Sequence, residues 1–259
     1  MKTLAVCGDS WCTSDLAFPG KSFGEIISNN KNWNLLSLAR SGCSNFAIAL
    51  QIDKAIEMQV DSIIVGTTTP DRIEIPIEKG ENNIISKLMS AINWKEWSSS
   101  YTHKFDKSRG LSNIQYSPHP DLSSQLDFLT DPTIISEHIY TFIVRVANSE
   151  FYHLSDDQTA ALKAYVTHLY DYGVKLQTDT WIINDACRRL LASKIPFLVV
   201  DWPEFSDELA WLPRENRILQ DDFNLRNRTI DPETRFHYNS TNDGIEIADY
   251  FQQRLEKLL

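Results

Sequence analysis

The chain lacks the features that mark secreted, membrane-spanning and nucleic-acid-binding proteins. Its four cysteines among 259 residues are too few for the disulfide framework of a small secreted domain. No apolar run approaches the roughly 18 residues that a membrane span needs, and the apolar stretch before Gly8 is too short for a signal peptide. Positive charge is also scarce, and the formal net charge of −10 argues against nucleic acid or an anionic membrane as a partner. We therefore expect a cytoplasmic protein.

Motifs for common cofactors are missing as well. The loop after the first apolar segment has neither the glycine-rich fingerprint of dinucleotide-binding proteins nor the lysine of a P-loop. Five of the six histidines lie in the middle of the chain, with no spacing typical of a metal site: His103, His119, His138, His153 and His168. The sequence therefore implies no cofactor and no metal.

Apolar segments near both ends of the chain predict an α/β fold. Short apolar runs that are typical of buried strands occur at 3–7, 33–38, 61–66 and 195–200. Residues 218 and 219 mark a further short segment or strand. Apolar residues at helical spacing occur at 22–29, 45–58 and 242–259. This alternation predicts one domain, 1–259, built on a doubly wound, flavodoxin-like parallel sheet flanked by helices.

The alternation breaks between about 76 and 173, which predicts a long, mostly helical insertion after the third strand. Asp131 and Pro132 are typical of the start of a helix, and apolar residues from Ile135 to Val146 continue at helical spacing. A further helical stretch is predicted from Asp156 or Asp157 toward Lys194. In the terminal helix, the residues expected to face inward are Ile245, Ala248, Phe251, Leu255 and either Leu258 or Leu259.

Polar segments follow the predicted strands, at the edge of an α/β sheet where sites are built. The first reads Gly-Asp-Ser at 8–10, the second spans 40–45, and the third spans 66–72. A fourth segment contains His237, shortly before the terminal helix. Together they resemble the sequence blocks of the SGNH or GDSL hydrolase family, and the resemblance covers roughly 1–75 and 195–259.

The resemblance implies a nucleophile, a base and an oxyanion hole. Ser10 matches the family's nucleophile and His237 its base, which takes the proton that makes a serine hydroxyl reactive. The amides of Ser10 and Gly42 match the donors that hold the oxyanion of the tetrahedral intermediate. Thr68 stands where the family has an asparagine donor, and a threonine hydroxyl can also donate one hydrogen bond.

The acid that orients the base departs from the family pattern. The family places an aspartate three residues before the histidine, and Thr234 occupies that position here. Asp231 is the candidate acid, with Asp201 or Glu233 as alternatives. A further alternative is a Ser-His dyad, in which a backbone carbonyl orients the histidine ring.

These residues predict a serine hydrolase that acts on a small-molecule or carbohydrate ester, and family analogy suggests an O-acetyl group. Asp9, Asn45 and Arg72 are predicted to contact the substrate. Two alternatives stay open at this point. The changed asparagine and aspartate positions favour a non-catalytic binding or structural module on the same fold, and an acyltransferase would use the same residues with an alcohol in place of water.

Overall fold

A computed structural model describes part of the chain. The described residues are 1–9, 11–12, 20–39, 44–68, 70, 72–76, 134–138, 164, 168–169, 171–201, 205, 207–219 and 243–259. For 72–76, 134–138, 201 and 243 the description is limited to the backbone.

Five parallel strands form the main sheet, which confirms the predicted α/β character. The described strands are β1 (Thr3–Cys7), β2 (Asn34–Ser37), β3 (Ser62–Gly66), β4 (Arg72–Pro76), β5 (Ile134–His138), β6 (Phe197–Asp201) and β7 (Arg217–Leu219). The strands of the main sheet lie in the order β2-β1-β3-β6-β7, and each neighbouring pair is parallel. A separate antiparallel pair is formed by β4 and β5. The helices are α1 (Phe23–Lys31), α2 (Asn45–Glu57), α3 (Tyr172–Ser193) and α4 (Asp243–Glu256), with a 3-10 turn at Arg214–Asn216 before β7.

Two apolar cores lie on opposite faces of the sheet. Successive side chains of a strand point to opposite faces, so Ala5 and Cys7 of β1 belong to one core, while Leu4 and Val6 belong to the other. Residues of α2 and α3 complete the first core, and residues of α1 and α4 complete the second. Burial on both faces explains why these strands are almost entirely apolar.

Polar caps fix where the helices begin. Ser22 forms a capping box with Glu25 at the start of α1, and Ser44 caps α2 by accepting a hydrogen bond from the Ala47 amide at 3.4 Å. Asp171 caps α3 in the same way. Each cap satisfies a backbone N–H that has no partner inside its helix. The start of α2 is therefore defined directly after residues 40–43.

The helix predicted from Asp131 onward is wrong where the structure describes it. Residues Ile134–His138 form β5, with Ile135 opposite Ile75 of β4. The Asp-Pro start and the apolar spacing are local signals, whereas the pairing partner lies far earlier in the chain. Adjacent β-branched isoleucines also suit an extended backbone.

Ile245 is also placed differently from the prediction. Its side chain is 49% exposed, while the inward stripe of α4 consists of Ile247, Ala248, Phe251 and Leu255. At 3.6 residues per turn, Ile245 is rotated about 200° from Ile247 around the helix axis. Beyond β4 and β5, the structure describes the predicted insertion only at 164, 168–169 and from Asp171 onward, and α3 begins at Tyr172. None of the described helices is long and apolar enough to cross a membrane.

Candidate functional site

Only part of the predicted site falls within the described residues. Ser10, Gly42, Asp231, Glu233 and His237 lie outside them, so their predicted roles stay predictions. Asp201 ends β6 and Arg72 begins β4, and only their backbone positions are described. Asp9, Asn45 and Thr68 are described in full.

Asp9 and Thr68 connect two loops at the carboxyl edge of the sheet. β1 ends at Cys7 and its neighbour β3 ends at Gly66, so each of these residues lies two positions beyond its strand. The Thr68 hydroxyl donates to Asp9 Oδ2 at 2.7 Å. Both residues are buried, at 2% and 0% exposure. The loop that leads to Ser10 is therefore held against the loop that follows β3.

Asp9 also holds the chain on the far side of position 10. The Trp11 amide donates to Asp9 Oδ1 at 2.9 Å, and the Cys12 amide donates to the Asp9 carbonyl at 3.0 Å. An aspartate that accepts from the amide two residues later is a common turn device. The turn is anchored by the Trp11 ring, whose centroid lies 5.3 Å from that of Phe23. Both neighbours of Ser10 are thus fixed by hydrogen bonds.

Asn45, in the first turn of α2, binds both main-chain groups of Thr68. Its Oδ1 accepts from the Thr68 amide at 3.0 Å, and its Nδ2 donates to the Thr68 carbonyl at 2.8 Å. Nδ2 also donates to Asp179 Oδ2 of α3 at 3.0 Å. Both amide hydrogens of this fully buried side chain are therefore used within the protein.

Gln51, six residues later on α2, binds Gly8 in the same manner. The Gly8 amide donates to Gln51 Oε1 at 2.6 Å, and Gln51 Nε2 donates to the Gly8 carbonyl at 3.3 Å. We call Asn45 and Gln51 the α2 clamp. One helix thereby binds the backbone at Gly8 after β1 and at Thr68 after β3. Its first residue, Asn45, lies three positions after Gly42 in the sequence.

An ion pair on α3 lies behind the clamp. Lys175 Nζ donates to Asp179 Oδ1 at 2.6 Å. The Asp179 side chain is fully buried and that of Lys175 is 12% exposed. Each carboxylate oxygen of Asp179 thus accepts a hydrogen bond, one from a charged group and one from Asn45.

Cys12 is close to the site, but its environment makes it a poor nucleophile. Burial raises the pKa of its thiol well above the usual value, and the charge of Asp9 raises it further. The thiolate is the reactive form of cysteine. The thiol therefore remains protonated and serves to fill the space beside Gly8 and Gly66.

The hydrogen bonds limit what the described polar groups can do. The Thr68 hydroxyl has one hydrogen, which it donates to Asp9, so a contact with an oxyanion would have to replace that bond. The oxyanion role of Thr68 stays a prediction, as do the substrate contacts of Asp9, Asn45 and Arg72. Within the described ranges, no group of three or more histidine, cysteine, aspartate or glutamate residues could hold a metal ion.

Sequence reasoning missed Gln51, Lys175 and Asp179. The sequence carried a signal for Gln51 and Asp179, because each of these two residues lies on a stripe of buried helix residues. Gln51 is beside Ile52 and one turn before Ala55, and Asp179 is one turn before Ile183. A polar residue on an apolar stripe is informative, since buried polar groups need partners.

Comparisons with known proteins add no relative. No family model matches the chain, and no curated protein and no solved structure matches it.

Proposed function

We propose that this protein is a serine ester hydrolase of the SGNH type, with Ser10 as its nucleophile. The observation that carries the proposal is the Thr68–Asp9 hydrogen bond across the carboxyl ends of β1 and β3. Along the chain the sheet grows from β1 to β2 on one side and then to β3 on the other, so the strand order reverses between β1 and β3. In open α/β sheets, ligands bind in the crevice at such a reversal.

The start of α2 adds a second support. Positive partial charge at a helix N-terminus favours a developing negative charge. The predicted oxyanion donor Gly42 precedes the α2 cap Ser44 by two residues. The proposal therefore places the amides of Ser10 and Gly42 around the oxyanion, with Thr68 as the third candidate donor.

The reaction takes two steps. Ser10 Oγ attacks the ester carbonyl carbon while His237 accepts its proton, and the carbonyl oxygen becomes the oxyanion. The carbon–oxygen bond to the leaving group breaks, and His237 returns the proton to the departing alkoxide, which leaves an acyl-serine. Water then attacks the acyl carbon while His237 accepts its proton, and the bond between that carbon and Ser10 Oγ breaks. His237 returns the proton to Ser10 Oγ as the acid is released.

The partner of His237 and the substrate are the less defined parts of the proposal. Asp231 is the candidate acid, with Glu233 and Asp201 as alternatives. Asp201 ends β6, which pairs with β3, so its backbone lies at the same edge of the sheet as Thr68. The proposed substrate class, an O-acetyl ester of a carbohydrate, rests on family analogy.

Hydrolysis of p-nitrophenyl acetate tests the reaction. We expect Ser10→Ala and His237→Ala to lower kcat by about 10³-fold or more. Ser193→Ala, at the opposite end of the sheet, and His168→Ala, at an exposed position, are the matched controls and should retain the wild-type rate. Equal rates in all five proteins would refute the proposal. Adding acceptor alcohols and analysing the products separates hydrolysis from acyl transfer.

A non-catalytic binding module is the second candidate. The observation that favours it is the complete burial of Thr68, which stands where the family has a donor to the oxyanion. This candidate predicts that no variant changes the rate, because any hydrolysis would be unspecific.

A further inference from the structure

We infer that Asp179 is a positioning residue for this site, acting from α3 through Asn45 on the loop that contains Thr68. The inference rests on the proposed function, because the loops that it concerns are those of the proposed nucleophile and oxyanion donors. Asp179 and Asn45 are 134 positions apart in the chain. The contact therefore couples the helix that follows the central segment of the chain to the two loops near the start.

The first step concerns the orientation of the Asn45 amide. Its oxygen must face the Thr68 amide, and its nitrogen must face both the Thr68 carbonyl and Asp179. Rotating the amide by 180° would place its nitrogen against the Thr68 amide. Its oxygen would then face the Thr68 carbonyl and the Asp179 carboxylate. Asp179 can only accept hydrogen bonds when ionised, so it selects the orientation that binds Thr68.

The second step concerns Asp179 itself. Lys175 donates to the carboxylate oxygen that Asn45 does not use. A buried ion pair adds little net stability compared with apolar residues of similar size. Stability alone therefore does not account for this charged pair, whereas fixing the direction of a buried amide does.

The third step extends from Thr68 to the proposed nucleophile. With both main-chain groups of Thr68 held by Asn45, its hydroxyl is directed to Asp9. Asp9 in turn binds the amide of Trp11, so the series of hydrogen bonds ends on the residues that flank Ser10. A small displacement of reacting groups can lower a rate by about 100-fold. We therefore expect Asp179 to affect kcat rather than KM.

The substitutions Asp179→Asn and Lys175→Met, alone and together, test this role. Asp179→Asn places an amide nitrogen against one of two donors, Lys175 or Asn45, and should lower kcat by about 10- to 100-fold at unchanged KM. Adding Lys175→Met removes one donor, so the new amide oxygen can accept from Asn45, and we expect kcat to recover to within about threefold. Asp53→Asn breaks the ion pair with Arg189 that joins α2 to α3, and it should leave kcat unchanged.

Hydrogen exchange followed residue by residue by NMR provides a readout that does not depend on enzyme activity. In Asp179→Asn the Thr68 amide, which Asn45 holds, should exchange about tenfold faster than in the wild type. The Gly8 amide is held by Gln51 instead and serves as the internal reference, with unchanged exchange.

Each outcome has a defined meaning. Faster exchange at Thr68 alone, together with a lower kcat that the double variant restores, supports the inference. Unchanged exchange at Thr68, equal acceleration at Gly8, or no recovery in the double variant overturns it. Failure of the proposed function is recognised separately, because Ser10→Ala would then retain the wild-type rate whatever the exchange at Thr68 shows.

Discussion

Gly66, the last residue of β3, lies against the buried sulfur of Cys12. A Cβ atom at this position would overlap Cys12 Sγ, and among the described residues the other neighbour within 4 Å would be Trp11 Cε3 at 3.9 Å. Gly66→Ala should therefore force the Cys12 side chain out of a fully packed position. Overpacking of this kind costs about 1–3 kcal/mol of unfolding free energy.

Cys12→Ala should remove this cost, because the overlapping atom is the sulfur. In the Cys12→Ala background, the new Cβ of Gly66→Ala meets no close atom of the described residues. The smaller entropy of its unfolded chain should then stabilise the fold by about 0.4–1 kcal/mol. Cys12→Ala itself leaves a small cavity and should cost about 0.5–1.5 kcal/mol, as for other deletions of one heavy atom. Gly66→Ala is thus expected to lower the unfolding free energy in the wild-type background and to raise it in the Cys12→Ala background.

Gly8→Ala is the matched control, since Cys12→Ala should not rescue it. A Cβ at Gly8 would lie 2.8 Å from Cys12 Cβ, which alanine retains, and 3.1 Å from the Gly66 carbonyl oxygen. The φ angle of +149° at Gly8 also disfavours any side chain. Urea denaturation of the single and double variants measures these free energies. An equal cost of Gly66→Ala in both backgrounds would refute the packing argument.

Two further predictions concern stability. Burial raises the pKa of the Cys7 thiol above its usual 9.0, so the unfolded chain releases this proton above about pH 9 while the folded chain retains it. The contribution of this thiol to the unfolding free energy is therefore complete below pH 9. Above pH 9 it is lost by up to about 1.4 kcal/mol per pH unit. Urea midpoints at pH 8–10 should fall less steeply in Cys7→Ala, and identical slopes would contradict the prediction. Ser22→Ala removes the cap of α1, to which the Glu25 amide donates at 3.3 Å, and should lower the unfolding free energy by about 1 kcal/mol, whereas Ser22→Gly should cost only a few tenths. Equal losses for the two variants would count against the cap.

The main sheet could be predicted from the sequence because its signals are local. Strands such as 61–66 are short apolar runs, and the helix beginning at Asn45 carries a wide apolar face with a serine directly before it. The observed bounds of β3 and α2 differ from the predicted ones by one residue. Buried parallel strands and capped helices can be recognised from a few neighbouring residues in the sequence.

The pairings between distant segments could not be predicted. The residues of β5 read as a helix because nothing nearby reveals their antiparallel partner β4. The partner of Asp179 could not be predicted either, because Asn45 is distant in the chain. In the site, the loop positions of Asp9 and Thr68 followed from the strand ends, but their mutual hydrogen bond depends on both side chains in three dimensions.

The most direct test of the central claim is covalent labelling of the proposed nucleophile. A fluorophosphonate ester forms a stable bond to an activated serine, and peptide mass spectrometry locates the adduct. The account predicts one adduct per chain, on Ser10, formed at least about 10³-fold more slowly in His237→Ala because the base is missing. An adduct on another residue, or no adduct on a chain that hydrolyses esters, would contradict it.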